Sequence, residues 1–141
     1  MSARSKARKR ALDILFEADS KGVPLASILA EHVRRRNADG SPPLNDFTVA
    51  LVQGVSAHQA EIDQRISASA VGWTLQRMPD VDRAIARLAT YEILFDPEVP
   101  DDVAISEAVN LSTDLSTEDS PRFMAGILHA IAGRESSPIG E

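Results

Sequence analysis

Apolar residues recur along this chain at intervals of three and four, and nowhere does apolar alternate with polar long enough to make a strand. Such spacing restricts the chain to helices that each bury one stripe, so the expected fold class is all-α. From about Arg4 to Asp19, Ala7, Ala11, Ile14, Leu15 and Ala18 form the first stripe, punctuated by Gly22 and Pro24. Leu25, Ile28, Leu29, His32 and Val33 form the second, closed by Arg34, Arg35 and Arg36, and residues 37–44 have loop chemistry. A third helix is expected from Asn45 or Asp46 with Phe47, Ala50, Leu51 and Val55 inward, and a fourth around Ile62 and Ile66, with their junction near Ser56 to His58. Gly72 and Trp73 break the pattern, and Pro79 suits the first turn of a helix that runs to about Phe95. Val81, Ala84, Ile85, Leu88, Tyr91 and Phe95 mark its apolar side, while Asp80 and Asp82 place negative charge at the positive end of its dipole. Asp101 and Asp102 open a helix carrying Ala104, Ile105, Ala108, Val109 and Leu111. Ser120 and Pro121 read as the cap and first position of the last helix, which Phe123, Ile127, Leu128 and Ile131 pack down and Gly133 ends. The expectation is about seven helices in two small packed bundles sharing one core, residues 4–70 and 71–134, followed by a mobile tail at 135–141.

The 141 residues make one domain of ordinary size. They include no cysteine, which excludes disulfides, thiolate metal sites and cysteine nucleophiles and fits a reducing compartment. No run approaches 18 apolar residues, and the basic start is followed by Asp13, Glu17 and Asp19 rather than by the apolar core of a signal peptide, so the expected location is cytoplasmic, away from membranes. Chemistry is sparse. His32, His58 and His129 lie far apart with no HExxH, the glycines form neither GxGxxG nor a phosphate loop, and there is no GxSxG elbow. The sequence therefore nominates no catalytic residue, no metal ligand and no cofactor.

Charge is distributed unevenly. Met1 to Arg10 holds Arg4, Lys6, Arg8, Lys9 and Arg10 with no acid, while the chain as a whole carries −6 and the remainder has ten Lys and Arg against 21 Asp and Glu. Cations in a first helical turn face the positive end of the dipole, a cost of about 0.3–1 kcal/mol each, so solvation alone does not favour them there. A localised contact with a polyanion does, and nucleic acid is the partner expected. Phe16, two to three turns beyond the arm, has two readings, a core residue or a ring on which a base stacks.

Over nearly its whole length the chain resembles the bacterial N-utilisation substance B (NusB) antitermination factors. The resemblance rests on the opening ARSKARKRALDILFEAD, on WTLQRMPDVDRAIARLATYEIL, on VPDDVAISEAVNLS and on EDSPRFMAGILHAI, in the family's order and spacing. It implies a NusB-like pair of helical bundles, no catalysis, pairing with the small-subunit ribosomal protein that doubles as NusE, and binding of boxA, a single-stranded RNA element of ribosomal RNA leaders. That pair joins the elongating RNA polymerase with other Nus factors to keep rRNA transcription processive.

Carried over by position, the resemblance implies RNA contact by Arg4, Lys6, Arg8 and Phe16, more weakly by Lys9 and Arg10, and by Asp119 and Phe123 at the start of the last helix. Gln76 and Asp82 align with NusE contacts, although Asp82 has a second reading as a dipole partner of its own helix. Ser5, Ser106 and Ala125 depart from the family's usual Arg, Asn and Asn. Two alternatives stand beside this reading: a helical protein–protein adaptor without specific RNA binding, and a detached RNA-binding module related to rRNA methyltransferases. The sequence leaves a homodimer open.

Overall fold

The third and fourth helices expected from the sequence are one. In the computed structural model, which describes residues 2–136, Asp46–Ser69 is a continuous helix that departs from helical geometry at His58 alone, with φ −118° and ψ 17°. That residue falls at the expected junction, but no proline or left-handed glycine breaks the backbone there, so the chain bends and continues. The described residues thus form six α-helices rather than about seven: α1 Ala3–Lys21, α2 Leu25–Asp39, α3 Asp46–Ser69, α4 Asp80–Phe95, α5 Asp101–Leu115 and α6 Ser120–Ser136. A short 3-10 turn, Leu75–Arg77, lies between α3 and α4, and no strand occurs among the described residues.

Two helix ends lie beyond their expected positions. The stretch after Arg36 remains helical to Asp39 because the stop signal is Gly40, whose φ of 69° supplies the left-handed residue at which the helix terminates. Gly133 does not end α6; it lacks a positive φ, and the helix passes through it to Ser136. Of the tail expected at 135–141, the first two residues belong to α6 and residues 137–141 lie outside the described residues.

Helices α3 and α4 pack antiparallel at the centre, as the pairing of Asp63 with Arg87 and of Gly54 with Tyr91 shows. Both α1 and α6 lie against the two of them, α2 covers α1 and α3, and α5 covers α4 and α6. One hydrophobic cluster runs through all six helices, with Leu12, Ile14, Leu51, Ile62, Ile66, Ile85, Met124, Leu128 and Ile131 fully buried. Each such side chain contributes about 1.5–3 kcal/mol by leaving water. The α1–α3 contact is also keyed by a hydrogen bond from the Thr48 hydroxyl to the Ala7 carbonyl, 2.9 Å. Along the α3–α4 contact the Tyr91 ring lies against the backbone at Gly54, in the place a Cβ would take, and His58 stacks on Phe95 with ring centroids 3.9 Å apart.

Polar ties join α1 to its neighbours. Asp19 accepts from Arg83 of α4 at 2.8 Å, and Glu17 pairs with Lys21 at 2.7 Å and with His32 of α2 at 2.8 Å. Hydrogen bonding from Lys21 and then from His32 lowers the Glu17 pKa from 4.5 to about 2.

Two predictions come from this packing. Gly54→Ala gains about 1 kcal/mol of helix propensity but drives a methyl group into the Tyr91 ring, an overpacking cost of about 1–3 kcal/mol, so thermal denaturation is expected to show net destabilisation that Tyr91→Leu relieves. A carboxyl more acidic in the folded than in the unfolded chain adds stability above its unfolded pKa and loses it as pH falls towards its folded value. The Glu17 contribution is therefore present above pH 4.5 and lost on the way to about pH 2. Melting temperatures of Glu17→Gln are expected to fall less steeply than those of the unaltered protein across that window, and an equal slope would refute the assignment.

Candidate nucleic-acid interface

Helical geometry divides the basic arm into two sets. At 100° per residue, Lys9 falls opposite Ala7, Ala11, Ile14 and Ala18, Lys6 lies round from it away from that stripe and Arg10 flanks the stripe's edge, while Arg4 and Arg8 fall towards the buried side. Lys6 and Arg10 are exposed and Lys9 is half-buried, and none of the three is held by an ion pair among the described residues. Phe16 shares their exposed side and lies nearly in line with Lys9. At 41% exposed, it is not a core residue.

Arg8 is turned inward. It is 4% exposed and makes a bidentate pair with Glu92 of α4, Nε to Oε1 at 2.9 Å and Nη2 to Oε2 at 2.9 Å, while Nη1 reaches Glu107 of α5 at 3.0 Å. Ser5 donates a hydrogen bond to the same Glu107 oxygen. Burial pushes the Glu92 pKa up against the pull of Arg8. Burial likewise works against the charge of Arg8, but the hydrogen bonds and charges of its two acids outweigh it and its pKa is raised. The sequence assigns Arg8 to RNA; its donors are instead committed to two carboxylates at the α1–α4–α5 junction. A single sequence shows that a cation is present, but not that two acids 84 and 99 residues away converge on it.

Arg4, one turn earlier at the free end of the helix, is exposed, and its side chain has no ion pair or hydrogen bond among the described residues. Its guanidinium carbon lies 4.5 Å from the centroid of the Phe47 ring of α3, and that of Arg8 lies 5.2 Å from the same ring.

Two depressions flank this end of α1. One, about 500 Å³, is lined by Ser2, Arg4, Ser5 and Arg8 on one wall and by residues from Glu98 to Glu107 on the other. The second, about 290 Å³, shares Ser5, Arg8 and Glu107 and continues along α5 to Asp114. Together they form a shallow path from the arm along α5 towards the turn before α6. Asp119 is exposed in that turn. Phe123, in the first turn of α6, is half-buried edge-to-face against Trp73, with ring centroids 4.3 Å apart.

The two residues expected to meet NusE differ in placement. Gln76 is exposed on the 3-10 turn. Asp82 is fully buried, which removes it from any docking surface. Its Oδ2 accepts from the Ser120 hydroxyl at 2.9 Å, and its Oδ1 has no hydrogen-bond partner among the described residues. Because Ser120 spends its proton on Asp82, its oxygen accepts from Ser116 and Thr117, each at 2.9 Å. Ser120 is the first residue of α6, and its hydroxyl, expected to cap amides, anchors the α5–α6 turn to α4 instead. Among the described residues there is no cluster of His, Cys, Asp and Glu able to hold a metal ion, and no helix is long and apolar enough to cross a membrane.

Comparison with known proteins identifies the family to which this fold belongs. The NusB family model matches residues 5–133. A transcription antitermination protein NusB of Acidothermus cellulolyticus is 53% identical over 146 residues, covering 100% of this chain and 98% of its own. One from Nocardioides sp. is 50% identical, covering 97% and 98%. Among solved structures, T. maritima NusB superposes with a TM-score of 0.80 at 31% identity over 97% of this chain and 94% of its own. A complex of the antitermination factors NusB and NusE with dsRNA contains a chain that superposes at 0.78 with 25% identity, covering 93% and 96%.

The Arg8 cluster generates a stability prediction. Arg8→Met leaves Glu92 buried without a counter-charge, which costs about 3–5 kcal/mol, whereas Arg8→Met with Glu92→Leu removes both charges and is expected to recover most of that loss. Urea denaturation of the two variants checks it. A match to a family model over residues 5–133, relatives at half identity along the full chain and a superposable fold place this chain in the NusB family.

Proposed function

We propose that this protein is a transcription antitermination factor that binds boxA RNA through the outer face of α1 and the start of α6, pairs with the NusE ribosomal protein, and acts with RNA polymerase and the other Nus factors on rRNA transcription. Its role is binding rather than catalysis. One observation carries the reading. In a chain of net charge −6, Lys6, Lys9 and Arg10 present cations from one side of α1, with no ion pair among the described residues, and Phe16 exposes its ring on that side. Uncompensated cations beside an exposed ring form an electrostatic track with a stacking platform, the combination that single-stranded RNA requires.

Within this proposal Arg4, Lys6, Lys9, Arg10 and Phe16 touch RNA, Asp119 and Phe123 add a second contact across the α5 path, and Gln76 lies on the NusE side. Arg8 acts from inside as the anchor that fixes α1 against α4 and α5. Asp82 acts similarly for α6.

The test is binding of boxA RNA and a scrambled control, with and without NusE, at two salt concentrations. Selective binding that NusE strengthens is expected. Lys6→Ala with Lys9→Ala should weaken boxA binding and lower the slope of log affinity against log salt by about one to two, at roughly 0.7 per lost phosphate contact on a single strand, while NusE pairing is retained. Equal affinity for both RNAs would reduce the interaction to nonspecific electrostatics, and NusE pairing without RNA binding would make the protein an adaptor.

A further inference from the structure

Arg4 and Arg8 share one aromatic ring but differ in what else they hold. The donors of Arg8 are taken up by Glu92 and Glu107, whereas those of Arg4 are unused among the described residues. Arg4 is nonetheless located, because its guanidinium carbon lies 4.5 Å from the Phe47 centroid. Phe47 is itself fixed, half-buried against the core on the first turn of α3. Next to it, the hydroxyl of Thr48 bonds to the Ala7 carbonyl of α1, so ring and arm are registered through the backbone as well.

We infer that Phe47 is a positioning residue for RNA: its ring holds the Arg4 guanidinium at the end of α1 so that the N–H fork receives a phosphodiester of the bound strand. The inference rests on the RNA-binding reading above. A guanidinium held over a ring through its flat face keeps its N–H groups for another partner, and their fork matches the paired oxygens of a phosphate. Holding the cation in place has a specific use here. Glu98, Asp102 and Glu107 line the depression beside Arg4, so a strand passing this end of α1 meets three carboxylates. A cation fixed at their edge offsets them better than one on a freely turning stem, because the entropy of ordering the side chain is lost before binding rather than during it.

The experiment compares boxA RNA affinity at two salt concentrations for the unaltered protein, Phe47→Leu, Phe47→Tyr, Arg4→Ala and the Phe47→Leu/Arg4→Ala pair, with melting temperature and NusE pairing followed in parallel. Phe47→Leu keeps apolar bulk against the core but has no ring face, and is expected to weaken boxA binding about two- to fivefold while NusE pairing is unchanged. Phe47→Tyr should restore binding. In the Arg4→Ala background Phe47→Leu should cost nothing further, since the group it positions is gone. Arg4→Lys serves as a second variant that leaves the core untouched: it keeps the charge but loses the planar fork, and is expected to bind boxA more weakly than the unaltered protein. Affinity unaffected by Phe47→Leu, an equal loss with and without Arg4, or full affinity of Arg4→Lys would each overturn the inference while leaving boxA binding intact. Failure of the unaltered protein to bind boxA would overturn the RNA reading and this inference together.

Discussion

Three helices, the first of them distant in sequence from the other two, meet at a buried guanidinium. Arg8 leaves water on one turn of α1, and Glu92 of α4 and Glu107 of α5 supply the charge and the acceptors that make its burial tolerable. An ion pair of this kind adds little net stability over a well-packed apolar core, since desolvation of the two charges offsets most of their attraction. Its effect is on register. A bidentate Arg–carboxylate pair is satisfied in a narrow range of positions, and any slip of α1 along α4 strands charge in the interior. The hydrophobic stripe of α1 has no such selectivity, because a stripe of Ala, Ile and Leu packs nearly as well one turn along.

Everything assigned to the outer surface of α1 depends on that register. Because Arg8 points inward, helical geometry turns Lys6, Lys9 and Arg10 outward and brings Phe16 to their side, and places Arg4 over Phe47. Fixing one cation inside thus sets the layout of the others outside. The far end of the path is organised similarly, with a buried carboxylate at Asp82 drawing in the Ser120 hydroxyl and, through it, Ser116 and Thr117. In both places a group that looks like a surface charge in the sequence positions neighbours that are exposed.

Much of the fold is legible in the sequence because helix stripes and stop signals are local. Ala7, Ala11, Ile14, Leu15 and Ala18 are all buried as their spacing requires, and α5 starts at Asp101 after Pro100. Where expectation and structure differ, the deciding signal is weak or distant. The bend at His58 leaves the helical ladder running on either side, so a change of apolar face looks like a helix boundary. Arginines at 34–36 look like a helix end, but only Gly40 supplies the left-handed backbone that ends it.

The site is less legible, because charge is visible in a sequence whereas its compensation is not. Arg4 and Arg8 are the same residue type stacked one helical turn apart, yet one is exposed and uncommitted while the other is held by acids on two other helices. Asp82 reads as a dipole partner or a docking residue, but its environment is decided by Ser120, 38 positions away. Phe47 reads as core from its stripe and is partly that, but its ring also faces two guanidiniums from another helix. Each of these roles is a property of a pair brought together by folding, and the buried charges set the pairs first. The free cations of the arm are what remains after Glu92 and Glu107 have claimed Arg8, and that remainder gives an acidic protein a basic face on α1.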